Sequence, residues 1–164
     1  MFVRVGKEVQ EMLRENSVSA HEPLPWYVNG LRFQCTRCGA CCSGAPGYVW
    51  VDTREIILIA DYLGLTTEQF GRKHLRQVGA GRSLLELSNG DCEFLERLAD
   101  GTTRCRIHEV RPTQCRTWPF WRSNLSSPRA WELTARHCPG IDRGAHRPLP
   151  AIQAALQANG RRPL

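Results

Sequence analysis

Four cysteines fall within the eleven-residue stretch QCTRCGACCSG, residues 34–44. Cys35, Cys38 and Cys41 follow the pattern C-x2-C-x2-C, and Cys42 comes directly after Cys41. A thiolate is a soft, charged ligand. A two-residue spacer lets a tight turn bring two sulfurs to one ion at about 2.3 Å. Gly39 beside the loop permits the unusual backbone angles such a turn can require. A single C-x2-C is shared with disulfide oxidoreductases, whereas three cysteines at this spacing point to a metal ion or a metal–sulfur cluster. Adjacent cysteines seldom serve one ion together, because their side chains tend to diverge. They suit two neighbouring metals, or one metal and a thiol outside its ligand shell.

The other four cysteines are spread out. Cys92, Cys105, Cys115 and Cys138 are separated by 12, 9 and 22 residues, too irregular for a zinc ribbon of two C-x2-C knuckles. Any one of them alone reads as an ordinary buried cysteine. Four of them in a chain that already holds a four-cysteine loop make two four-ligand sets. All eight are therefore candidate ligands for zinc or iron, an Fe–S cluster included. His108 and His137 are candidate substitutes for one thiol. Arg111 and Arg116 stand near enough in sequence to balance thiolate charge. Trp50, Trp118, Phe120 and Trp121 read as core and walls of the site rather than as a stacking platform for bases.

Four motifs in order, "CTRCGACC", "GDCEFL", "CRIHEVRPTQCRTWPF" and "CPG", resemble the CxxCxxCC cysteine-cluster family, also called YkgJ-like, over about residues 31–142. The resemblance includes all eight cysteines. It implies a zinc- or iron-chelating domain and brings no established reaction with it. Residues 1–25, expected to hold a helix and linker, and residues 145–164, expected to hold a C-terminal helix, lie outside it.

The bulk properties agree with a metal-binding reading. A chain of 164 residues is expected to make one domain with a real core. No apolar run approaches the ~20 residues that a membrane-spanning helix needs. Glu8, Glu11, Arg14 and Glu15 interrupt any leader-like apolar segment, so a cytoplasmic protein is expected. In a reducing compartment, clustered thiols more often bind metal than pair as disulfides. The formal charge of +6 raises the possibility of a nucleic-acid partner. Eight thiolates around two divalent ions would carry a net charge of about −4, however, which offsets most of that excess and leaves metal ions as the expected partners. No G-x-S-x-G or H-E-x-x-H motif and no acid–base pair marks an enzyme. Were the chain an enzyme, an Fe–S oxidoreductase working with a protein redox partner would fit best. A zinc module for nucleic-acid or protein interaction is the remaining alternative.

An α+β fold is expected, small, irregular and cysteine-rich, with a short antiparallel meander and several helices. Periodicity places helices over residues 4–16, from Asp52 or Thr53 to Leu63, and from Thr66 to about Gln77, the last opened by the Thr66/Gln69 capping-box spacing. Strands are expected over 31–34, 47–51, 84–87, 91–95 and 102–107. In the meander, a two-residue Asp100-Gly101 turn would set Cys92 against Glu109. A loop over Arg97–Asp100 would set Cys92 opposite Cys105, and this longer loop is preferred because one ion could then reach both. Pro112 is expected to open a short helix carrying Cys115, and Pro150 a last helix. His21, His74 and His146 are read as surface residues.

Overall fold

A computed structural model describes residues 23–44 and 46–160. The helix expected over residues 4–16 lies outside the described residues. The fold is α+β, with helices set among small antiparallel sheets.

Trp50–Val51 forms β2, and α1 follows at once over Thr53–Tyr62. Asp52 caps this helix: its Oδ1 accepts from Glu55 N at 2.8 Å, and the Glu55 carboxylate accepts from Asp52 N at 2.9 Å. Gly64 sits just past the helix end at φ 66°, the left-handed conformation that glycine adopts without penalty. The Thr66/Gln69 capping box forms as expected and starts α2, Thr67–His74. This helix stops earlier than the sequence suggested. Leu75–Val78 is strand β3, Gly79 and Ala80 make the turn, and Gly81–Leu84 is β4. The glycines at 79–81 therefore mark a hairpin, not a helix end. Leu75 pairs with Leu84 and Val78 with Gly81, while β2 joins the other side of β4.

A second hairpin pairs β5, Leu95–Arg97, with β6, Thr103–Cys105. Leu95 faces Cys105, so neither of the two expected registers holds. Residues 98–102 form the loop, and Thr102 is tied back to Asp100 Oδ1 through its N–H at 2.9 Å and its hydroxyl at 2.7 Å. Cys92 is not part of this ladder. Its carbonyl accepts from Leu95 N at 2.9 Å in a turn, and the residue forms an isolated bridge with Glu86.

The chain then makes the short helix α3, Thr113–Thr117, directly after Pro112. Helices α4, Arg122–Leu125, and α5, Pro128–Ala135, follow. Ser127 caps α5 by accepting from Ala130 N, and Pro128 occupies its first turn. Ile141–Arg147 is a further strand, β7, that pairs with β1, Leu31–Phe33. The last helix, α6, covers Leu149–Asn159.

Two apolar clusters result. The first gathers Val51, Ile56, Ile59, Ala60, Phe70, Leu84, Phe94 and Ile107, from α1, α2, the three-stranded sheet and the β5–β6 hairpin. The second gathers Phe33, Phe120, Leu125, Trp131, Cys138, Ile141 and Ile152, from β1 and the C-terminal third. Phe120 stacks on Trp131 with ring centroids 5.9 Å apart and meets Phe33 edge-on. The aromatic residues from this region thus serve the core, as expected.

Helix α3 ties the clusters together with polar side chains. The buried Glu55 of α1 accepts from Thr113 N at 2.6 Å. Gln114, also buried, accepts from Trp50 N at 2.9 Å and donates to Tyr48 O at 2.8 Å, as a neighbouring strand would. On the other side, Asn159 of α6 donates to the Thr117 hydroxyl. Buried polar groups require such partners.

Candidate metal centre

The cysteine loop lies over the seam between the two clusters. Cys42 closes a single 3-10 turn, Ala40–Cys42, through its N–H to Gly39 O at 2.9 Å. Gly39 has φ 74°, and a Cβ there would lie 2.7 Å from Thr103 Oγ1, so the position favours glycine. Arg37 also takes a left-handed conformation, φ 57°, and its carbonyl accepts from the Thr103 hydroxyl at 2.9 Å. Its N–H points at Cys35 Sγ at 3.4 Å. Backbone donors of this kind stabilise thiolate charge. The far end of the loop is held by Cys92 N, which donates to Cys42 O at 2.7 Å.

Beneath the loop lies a cavity of about 280 Å³. Cys35, Cys38, Cys41, Cys42, Cys92, Cys105, Cys115 and Cys138 all line it. None is in a disulfide. The walls between them are largely apolar: Phe33 and Trp118 come from the second cluster, Leu84, Phe94 and Ile107 from the first, and Pro112 joins them. Cys115 reaches the cavity from α3, Cys105 from the end of β6, and Cys138 from the segment before β7, where it is 7 % exposed. Trp118 Nε1 donates to Cys138 Sγ at 3.4 Å.

The surroundings set the thiols apart electrostatically. Burial pushes the Cys92 thiol up to about 11 and also raises Cys105 and Cys115. Cys41 and Cys42 have their sulfurs 3.8 Å apart. The hydrogen bond between them lowers Cys41 to about 7 despite some desolvation and raises Cys42. The Arg111 guanidinium favours the thiolate at Cys41, Cys105 and Cys115. Arg111 and Arg116 both line the cavity, where charge balance would require them.

The two histidine candidates separate. His108 lines the cavity and its Nε2 contacts Arg111. His137 is exposed and is not among the lining residues. His74 is not a free surface residue: its side chain is 17 % exposed, pairs with Glu93 at 2.9 Å, and packs between Phe70 and Phe94. Arg37, Thr103, Glu55 and Gln114 position the loop and α3, and no spacing or motif in the sequence marks them for it. Gly39, three residues after Thr36, was the available hint of a closely packed loop.

The donor chemistry fits a soft or borderline metal. Eight thiols, no competing disulfide, cationic side chains and a mainly apolar lining are what a thiolate-bound centre requires. Among the described residues, no three His, Cys, Asp or Glu side chains converge as a ready-made ligand set around one point. The sulfurs surround a volume and would have to close on an ion by side-chain rotation.

Comparison with known proteins bears on this chemistry. A family model described as "CxxCxxCC: Putative zinc- or iron-chelating domain" matches residues 34–139. The chain belongs to the CxxCxxCC family. The match begins at the first residue of the cysteine loop and ends one residue past Cys138, so it spans all eight cavity thiols. A stretch of 94 residues is 32 % identical to "Uncharacterized protein MJ0661" of Methanocaldococcus jannaschii. That alignment covers 57 % of this chain and 48 % of the relative, so the chain spans about half the length of the curated relative it matches. No solved structure matches. The described residues contain no helix long and apolar enough to cross a membrane.

Proposed function

We propose that this protein binds zinc or iron through thiolates drawn from all eight cysteines, in one shared compartment, and that its role is metal handling in the cytoplasm. One observation carries the reading: the four loop cysteines and the four dispersed ones line the same cavity. Two independent four-thiol sites would leave two separate clusters of sulfur. A shared lining supports a centre with more than one metal ion, bridged by the adjacent Cys41 and Cys42. Residues 31–142 form its core, within a single domain.

The test is metal analysis of protein purified without oxygen. Stoichiometric zinc in a colourless protein, or iron with ferrous-type spectra, supports metal handling. Visible absorbance bleached by dithionite, with acid-labile sulfide, assigns an Fe–S cluster and electron transfer instead. A protein with no bound metal, unable to take up zinc or iron, and with eight freely titrating thiols overturns the proposal.

A further inference from the structure

The eight thiols are not equivalent in access. Cys35, Cys38 and Cys41 are exposed, Cys42, Cys92, Cys105 and Cys115 are half-buried, and Cys138 is buried. All eight nevertheless line one cavity, so the exposed cysteines stand both at the surface and at the edge of the interior. The adjacent pair joins the two groups. Cys41 belongs to the exposed set and Cys42 to the covered set, and their sulfurs lie 3.8 Å apart. Cys42 is in turn fixed to the inner wall by the 2.7 Å bond from Cys92 N to its carbonyl. A buried structural site would gain nothing from this gradient, because structural sites are closed. A path for an ion has use for it.

We infer that the cavity is loaded and emptied through its outer thiols: Cys35 and Cys38 receive and release a soft divalent ion, the Cys41–Cys42 pair passes it inward, and Cys92, Cys105, Cys115 and Cys138 retain it. This rests on the metal-binding reading above. At each stage one metal–sulfur bond forms as another breaks. The incoming thiol gives its proton to water, the sulfur left behind takes one up, and no electron changes hands. The rim indicates the form in which the ion arrives. Exposed Arg37 and Arg116 line the cavity with the exposed carboxylate Glu109, while Arg104, also exposed there, is paired with Glu96 at 2.7 Å. Arginines repel a bare aqua cation and attract an anionic complex. The substrate is therefore a divalent ion in an anionic small-molecule complex, and a thiolate complex is the form that exchanges sulfur for sulfur with the outer cysteines.

Zinc transfer tests the path. The full-length reduced protein, stripped of metal, is mixed with a zinc–glutathione complex. The loaded protein is then challenged with a chromophoric chelator. Cys38→Ser should slow both uptake and release by about tenfold, equivalent to about 1.4 kcal/mol of barrier, and should lower the final zinc content less than Cys115→Ser does. Cys115→Ser should show the opposite balance, lowering zinc content the most and slowing initial uptake the least. Should either variant misfold, alkylation of half-loaded wild-type protein, with each thiol compared with its own rate in the metal-free protein, gives the same answer: Cys115 and Cys138 should gain protection before Cys35 and Cys38. Wild-type transfer rates in Cys38→Ser, or equal protection of outer and inner thiols, overturn the path while leaving metal binding intact. A wild-type chain that takes up no zinc or iron from any source overturns the metal reading and the path with it.

Discussion

The two apolar clusters are built differently. The first uses chain that runs without interruption from Val49 to Val110, and its helices, sheet and hairpin are close neighbours in sequence. The second must bring Trp26 to Phe33 across to residues 118–156, and β1 pairs with β7 over more than a hundred residues. A unit assembled from local contacts closes its chain at lower entropic cost than one that joins distant segments. The cavity lies where the two meet. Cys92 and Cys105 pack against the first cluster, Cys138 belongs to the second, and Cys115 sits on the helix that ties them. The cysteine loop itself is the connection from β1 of the second cluster toward β2 of the first. An ion bound across these thiols would clamp the more distantly joined cluster onto the self-contained one.

Metal removal is the strongest way to break that relation. An ion held at a thousandfold excess over its Kd stabilises the folded chain by about 4 kcal/mol for each site. Chelation under reducing conditions should therefore lower the melting temperature markedly. Hydrogen exchange should rise most in β1, β7 and α6 and least in α1 and α2. Uniform loss of protection across both clusters would mean that the first has no independent stability.

Glu55→Ala should have the next largest effect. This buried carboxylate accepts from Asp52 N and from Thr113 N, and so both caps α1 and anchors α3. Hydrogen bonds to charged groups contribute about 1.5–3 kcal/mol each, so a loss of about 3 kcal/mol in urea denaturation is expected. Glu55→Gln keeps an acceptor oxygen and should recover part of it. Gln114→Ala removes two bonds to the backbone of Tyr48 and Trp50 and should cost about 2 kcal/mol. Both variants loosen α3, so both should lower metal content through Cys115. Unchanged stability in Glu55→Ala would remove α3 as the tie between the clusters.

The parts legible in the sequence were those with local signals. The Thr66/Gln69 capping box and the Asp52 cap of α1 depend on residues within a turn of one another. The thiol set was legible because eight cysteines carry one chemistry. The end of α2 was not. Leu75-Arg76-Gln77-Val78 has good helix formers, and only pairing with β4 makes it a strand. Strand β7 was missed because only Ile141 of its seven residues is buried, which leaves no alternation to see. The position of Cys92 failed for a related reason. A hairpin register was assumed to carry it, whereas a turn at Cys92–Leu95 and a single bridge to Glu86 do so. His74 looked like a surface residue because Glu93, its partner, lies 19 residues away.

The smallest expected effect separates the loop from both clusters. Gly39→Ala forces a side chain into a left-handed conformation, at about 1–2 kcal/mol, and sets a methyl group 2.7 Å from Thr103 Oγ1 and 3.0 Å from Leu95 Cδ1. The contacts at risk are those that hold the loop down: the Thr103 hydroxyl to Arg37 O and the 3-10 turn that ends in Cys42. Neither cluster has a core residue in the loop. Release of the loop relieves the strain without disturbing either core, so the urea midpoint should shift less than in Gln114→Ala. Cys35 and Cys38 should react several-fold faster with iodoacetamide, while Cys115 and Cys138 keep their wild-type rates. Faster labelling at all four would show that the loop closes the cavity over the inner thiols. Faster labelling at the outer pair alone would show that the seam between the clusters shields them without it.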